Sequence, residues 1–296
     1  MKKIGFWFVK GIAFMISITP FSLLYLRSDC YCFLLYHLIR YRRKVVRENL
    51  VKSFPEKSPK EIKRIERRFY RNFCDLVVET CKLLRVKPDE LSRHVHFTNP
   101  KLMCDLYERG RSVFTAIPHS GNWEWYGKMM HSVSPHKASA IYKRIKDPNF
   151  ESFMKQLRKN FNNDQEDMIE SSVALKTLVR RKDLRNAILI VADQSPRGVA
   201  SDYWTEFLHR DTCWFYGLEK MAKFLDYAVV FVEMQRVRRG YYDVTFKLIC
   251  EDPKSTEEGF IMEQYVRHIE RSIQNNPDNW LWSHRRWKHS RQPEQP

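Results

Sequence analysis

Ser112-Val113-Phe114-Thr115-Ala116-Ile117-Pro118-His119-Ser120-Gly121-Asn122-Trp123-Glu124-Trp125 reads as a buried strand, a turn and the first turn of a helix. Residues 112–117 are a short run dominated by apolar, β-branched and aromatic side chains, as in a strand covered on both faces. Pro118 and Gly121 break that run, and Ser120 or Asn122 is suited to cap a helix starting at Trp123. His119 and Glu124 stand five residues apart. On a continuous helix that spacing would separate them by roughly 140°, so they meet only across a turn. A carboxylate on one imidazole nitrogen fixes the tautomer, leaving the other nitrogen to take a proton from an attacking hydroxyl. The expectation is therefore that Glu124 orients His119 as a general base. Gly121 would admit a substrate close to the backbone, where N–H groups at the helix start meet a developing oxyanion.

Outward from this block, Ala138–Lys143, Asn186–Ala192, Ala228–Val237 and Tyr242–Cys250 read as further strands. Helical patterns alternate with most of them, at Trp123–His131, Asn149–Lys159, Val173–Arg181 and Phe215–Leu225. A last helix carries Ile261, Tyr265, Ile269 and Ile273 at spacings of four. The alternation predicts an α/β fold with a largely parallel sheet flanked by helices, and Gly240 predicts one hairpin, making the sheet mixed. Ligands of open α/β sheets bind beyond the carboxyl ends of strands. His119 and Asp193-Gln194 both stand at such ends and are expected to converge. Asp193 would be a second acid near the base or a group holding the acceptor, although Asp-Gln-Ser-Pro is also an ordinary turn sequence. Lys143 and Arg144 would bring cations to the same edge, for a phosphate or a polarised carbonyl, or form a solvated basic turn.

The chain has 296 residues, 52 Lys plus Arg against 35 Asp plus Glu, and a formal charge of +17. Its expected partners are polyanions: nucleic acid, anionic membrane or phosphorylated molecules. Seven cysteines without paired C-x2-C blocks predict neither a disulfide framework nor a zinc site, and fit a reducing compartment. Ile4–Leu26 is apolar and of about the length needed to cross a bilayer, but Lys10, Gly11 and Pro20 interrupt it. It reads as a retained anchor, either inserted or lying in the interface. The cationic run Arg40–Arg47 would keep the remainder cytoplasmic and contact anionic lipid, or be a solvated basic face. Pro59–Leu84 reads as a long amphipathic helix capped by Ser58. The expected division is an anchor with its basic segment at 1–50, a helical segment at 51–99 packing on the core, and a catalytic α/β domain at 100–296. The tail Trp280–Lys288 interleaves aromatic and cationic residues, suiting a membrane interface, a nucleic-acid surface or packing into the domain.

The Ile-Pro-His-Ser-Gly-Asn-Trp-Glu run at 117–124 resembles the H-x4-D/E block of glycerolipid-type acyltransferases. With Gly-Asn-Trp-Glu it is most similar to the bacterial lipid A late acyltransferases, the lauroyl/myristoyl transferase family of the lysophospholipid acyltransferase-like superfamily. Arg42–Leu50 followed by Ser53-Phe54-Pro55, Ala192–Pro196 and Trp282–Lys288 resemble other blocks of that family, in its order. The resemblance covers nearly the whole chain. It implies transfer of a fatty acyl chain from an acyl thioester, with acyl carrier protein favoured over coenzyme A, to a hydroxyl of a lipid A precursor. His119 and Glu124 would be catalytic, with Asp193, Gly121 and Asn122 supporting the site. Lys143, Arg144, Gln194, Arg285 and Arg286 would bind substrate. No metal, no cofactor beyond the donor thioester and no nucleic-acid partner are expected. The location implied is the bacterial inner membrane, with the catalytic domain on the cytoplasmic face. No cysteine stands in the histidine block and Ser120 shows no nucleophile elbow, so no acyl-enzyme is required. The family's Arg-x3-Gly pattern is matched loosely at Arg158–Asn163, without its glycine. The same chemistry on an aminolipid, a phosphoglycolipid or an aryl polyene is the nearest alternative. A non-catalytic, membrane-tethered polyanion binder explains the charge and the tail, but gives His119 and Glu124 no role.

Overall fold

The computed structural model describes residues 3–159, 168–196 and 203–291. The chain opens with α1 (Lys3–Ser17) and α2 (Phe21–Phe33), a π-helical turn at Leu34–Ile39, α3 (Arg43–Ser53), α4 (Pro59–Lys82) and α5 (Pro88–Leu91). It continues through β1 (Val95–Phe97), α6 (Lys101–Glu108), β2 (Val113–Ile117), α7 (Trp123–Met129), β3 (Lys137–Tyr142) and α8 (Pro148–Arg158). β4 (Met168–Glu170), α9 (Ala174–Arg180), β5 (Asn186–Val191), β6 (Tyr203–Phe207), β7 (Arg210–Trp214) and α10 (Gly217–Leu225) follow. The last elements are β8 (Ala228–Arg238), β9 (Tyr241–Cys250) and α11 (Phe260–Asn275).

A seven-stranded sheet runs in the order β1-β9-β8-β2-β5-β3-β4. Only β8 and β9 pair antiparallel within it, through the hairpin at Gly240, whose φ is +75°. The fold is therefore the expected α/β architecture with a largely parallel, mixed sheet. Alternation along the central strands divides the core. Phe114, Ile188, Val229 and Phe231 face the side covered by α4 and α11, whereas Val113, Ile117, Leu189 and Val230 face the side of α7 and α8. Two-residue periodicity in strands buried on both faces produces these layers. The β6–β7 hairpin and the three-residue strands β1 and β4 were not anticipated. The hairpin turns at Leu208-His209, both with positive φ, instead of at the Asn-Gly or Asp-Gly pair that usually marks such a turn.

The apolar stretch Ile4–Leu26 is not one span. Pro20 lacks an amide donor and stands immediately before α2, which separates that helix from α1. Among the described residues, no helix is long and apolar enough to cross a membrane. Phe6, Ala13, Ile16 and Leu24 are buried, while Trp7, Phe8, Leu26, Leu38 and Ile39 stand more than 60% exposed. The basic segment is also partly internal: Arg43 and Arg47 pair with buried Glu66, and Arg42 donates to the Ser283 carbonyl. All seven cysteines are free.

The long helix α4 joins the amino-terminal helices to the sheet. Its capping box uses Ser58 and Glu61, with Pro59 in the first turn. Asp75, completely buried, accepts from Ser28 of α2 at 2.6 Å, from Arg236 at 2.6 Å and from Arg239 at 2.7 Å. Removing one partner of a buried ion pair leaves the other charge uncompensated. Asp75→Ala should therefore lower unfolding stability by about 3–5 kcal/mol, measured as a lower denaturant midpoint.

Candidate active site

β2 and β5 are parallel neighbours with Ile117 opposite Val191. Two residues further along each strand's exit stand His119 and Asp193, so strand register brings the two side chains together at the carboxyl edge. His119 Nδ1 lies 2.5 Å from Asp193 Oδ1, and the His119 backbone N–H donates to Asp193 Oδ2 at 2.9 Å. The Trp280 indole N–H donates to the same Oδ2 at 2.7 Å. Burial pushes the Asp193 carboxyl up, but these three donors, and the His119 ring when it is protonated, outweigh it and hold the carboxyl below the ordinary range. The Asp193 side chain is 1% exposed and that of His119 is 18% exposed, so the pair is reachable only from the imidazole side. With Nδ1–H donated to Asp193, Nε2 carries the lone pair; this assignment follows from the hydrogen-bond network. Gln194 Nε2 stands 3.2 Å from it and covers that nitrogen.

The turn after His119 is pinned by the chain's end. Leu281 N–H donates to the His119 carbonyl at 3.0 Å, Gly121 N–H to the Asn279 carbonyl at 3.2 Å, and Ser120 and Trp280 form a β-bridge. The Gly121 N–H is thus engaged within the protein, and the glycine acts sterically. Its φ is +64°, and a Cβ there would lie 2.8 Å from the Met234 carbonyl oxygen. Asn122, completely buried, caps α7 by accepting from Trp125 N–H at 3.1 Å and donates to Glu79 at 2.7 Å.

Glu124 does not meet the His119 ring, contrary to the expectation from spacing. Its two carboxylate oxygens accept from Arg158 Nη2 at 2.6 Å and Nε at 2.9 Å, a bidentate pair between α7 and α8. Helix α7 turns Glu124 away, while Trp123 keeps its ring edge-on to the imidazole, 4.9 Å between centroids. Residues 160–163 of the loose Arg-x3-Gly match lie outside the described residues. Asp193 takes the orienting place expected of Glu124.

A narrow cleft beside His119 is lined by Phe69, Phe73 and Leu76 of α4 and by Trp123, Tyr242 and Leu281, with Asn72, Arg236, Asp278 and Asn279 adding polar groups. Of the expected substrate-binding cations, none lines it. Lys143 is exposed, and Arg144 lines a separate cavity of about 620 Å³ with Glu151, Lys155 and Met168. Arg285 is exposed; Arg286 is buried with its guanidinium over the Trp214 ring, and burial pushes it down to about 10. His284, likewise pushed down by burial, to about 4, is neutral near pH 7 and accepts from the Ser195 N–H. The tail packs into the domain. Trp280 stands in the aromatic and cationic tail that the sequence marked, but its bond to Asp193 was not legible there; Glu79 carries no local motif at all.

The chain is thus an α/β protein with a buried carboxylate–imidazole pair and a narrow cleft of mixed lining at the sheet's carboxyl edge. Residues 1–289 match the family model described as bacterial lipid A biosynthesis acyltransferase, and the chain belongs to that family. No curated protein matches the chain. Gly121→Ala should destabilise the turn by about 1–3 kcal/mol, from left-handed strain and from contact with the Met234 carbonyl. Chemical denaturation checks the expected fall.

Proposed function

We propose that the protein transfers a fatty acyl chain from an acyl thioester, with acyl carrier protein the favoured donor, to a hydroxyl of a lipid A precursor. The His119–Asp193 pair at the cleft carries this reading. Asp193 holds Nδ1–H and stabilises the imidazolium that forms as Nε2 removes the hydroxyl proton. The alkoxide oxygen attacks the thioester carbonyl, forming the new C–O bond and a tetrahedral oxyanion. Collapse breaks the C–S bond, and the imidazolium returns its proton to the departing thiolate. Glu124 serves by holding the Arg158 guanidinium beside the turn, a charge suited to a substrate phosphate or a developing oxyanion.

Phe69, Phe73 and Leu76 give the cleft an apolar wall suited to a hydrocarbon chain. The exposed apolar residues of α1, α2 and the π-helical turn supply an interfacial membrane contact, with the cytoplasmic side of the bacterial inner membrane as the proposed location. Acceptors of related chemistry, such as an aminolipid, would use the same base.

Acyl transfer from labelled acyl carrier protein to a lipid A precursor tests the reading. His119→Ala should abolish transfer, and Asp193→Asn should lower kcat by about 10²- to 10⁴-fold. Near-normal transfer by His119→Ala would remove the base from the mechanism. The pH dependence follows from the depressed Asp193 carboxyl. Its stabilising contribution is present above the unfolded carboxyl's pKa of about 3.9 and is lost as pH falls through the lower folded value. Protonation of Asp193 should therefore leave no inflection in kcat between about pH 5 and 8, which a pH–rate profile checks.

A further inference from the structure

Three acids of α4, Glu66, Asp75 and Glu79, are completely buried. Glu66 is paired with Arg43 and Arg47, and Asp75 with Arg236 and Arg239. Glu79 differs from both. Among the described residues no salt bridge joins it, and its carboxylate is held by neutral donors from three other parts of the fold. Tyr25 of α2 donates to Oε1 at 3.0 Å; the Asn122 amide and the Tyr242 hydroxyl of β9 each donate to Oε2 at 2.7 Å. Its backbone carbonyl also accepts the Trp125 indole N–H at 3.0 Å. A buried acid without a bonded cation is expensive to keep. The expense shows in the carboxyl itself: burial pushes it up to about 7, against the Tyr242 and Asn122 hydrogen bonds and the more distant Arg236 charge, with Asp75 pushing it further up.

What the acid secures is the catalytic turn. Asn122 is the cap of α7, and its side chain is fully used: the oxygen accepts from Trp125 N–H, and the amide donates to Glu79. Trp125, also buried completely, is gripped by the Glu79 carbonyl. These two residues bracket Trp123, which touches the His119 ring, and Glu124, which holds Arg158. Tyr242, oriented by the same carboxylate oxygen, lines the cleft beside His119. We propose that Glu79 is a positioning residue of the active site, its carboxylate acting through Asn122 and Tyr242 to hold the 119–124 turn and the cleft wall in register with Asp193, while its backbone carbonyl holds Trp125 whatever the side chain. Glu79 touches no reacting atom. The assignment rests on the acyl-transfer reading for its catalytic consequence and on geometry alone for its effect on the turn.

The test is a double-mutant cycle between Glu79 and Asn122 with two readouts. The first is kcat and KM for acyl transfer. The second, which needs no activity, is the pair of ring ¹⁵N shifts of His119 in histidine-labelled protein, assigned with His119→Gln. Misplacement of catalytic groups by about 1 Å costs up to about 100-fold, so Glu79→Ala should lower kcat by about 10- to 100-fold with KM changed much less, and should move the His119 ring shifts. Asn122→Ala should do the same. The double variant should be no worse than the worse single, because both break one coupled unit. Glu79→Gln should restore kcat and the ring shifts: its oxygen accepts from Asn122 and Tyr242, and its amide donates to the Tyr25 hydroxyl. Independent, multiplicative effects of the two alanine variants would overturn the proposal. So would unchanged ring shifts in Glu79→Ala, or a glutamine variant as impaired as alanine. If even the unaltered protein transfers no acyl chain, the functional reading fails, and the ring shifts still decide the role of Glu79.

Discussion

The parallel pairing of β2 with β5 is the constraint on which the site depends. The strands are 74 residues apart at their exits, yet the register Ile117 opposite Val191 leaves His119 and Asp193 side by side just beyond the last pair. A slip of one residue would turn every side chain of a strand to the opposite face. It would exchange Phe114 and Ile188 for Val113 and Ala187 against the α4 and α11 layer. The cost of repacking both core layers thus fixes the geometry of the His119–Asp193 pair. The hydrogen bond between imidazole and carboxylate is specified by apolar burial several residues away.

Register alone would leave His119 at a mobile strand exit. The remaining order comes from two segments distant in sequence that close on the turn from opposite sides. The 279–281 strip pairs with residues 119–121 and supplies the Trp280 indole to Asp193, while α4 takes the Asn122 cap and the Trp125 indole. Such enclosure permits a positive φ at Gly121 and a buried, ionised Asp193 at the same point. Glycine takes the positive φ without strain, and the buried carboxylate is sustained because His119 and Trp280 donate to it.

Sequence periodicity disclosed the main strands and the alternation of helices because each rests on local apolar patterning. β1 and β4 escaped it: three residues are too few to define a period. The β6–β7 hairpin escaped because Leu208 and His209 occupy left-handed conformations without the residues that normally announce them. At the site, His119 and the carboxyl-edge position of Asp193 were legible, whereas the pairing between them was not. Proximity in sequence favoured Glu124 as the orienting acid, but α7 begins before Glu124 and carries it to Arg158. The aromatic tail marked Trp280 but not its bond to Asp193, and Glu79 lies beyond the reach of any local pattern, since the roles of both reside in contacts made across the fold.

The strongly basic composition also acquires a different meaning in three dimensions. A surplus of cations suggests polyanion binding when all are treated as surface charge. Here Arg43 and Arg47 serve Glu66, Arg236 and Arg239 serve Asp75, and Arg158 serves Glu124. Arg286 is buried over a tryptophan ring. These arginines bind helices to the sheet and to one another, with geometry that a flexible lysine ammonium would not reproduce. The cations that remain exposed set any long-range attraction to polyanions. The internal ones set the rigidity of the scaffold that presents His119, so the same excess of arginine contributes to association and to preorganisation through different residues.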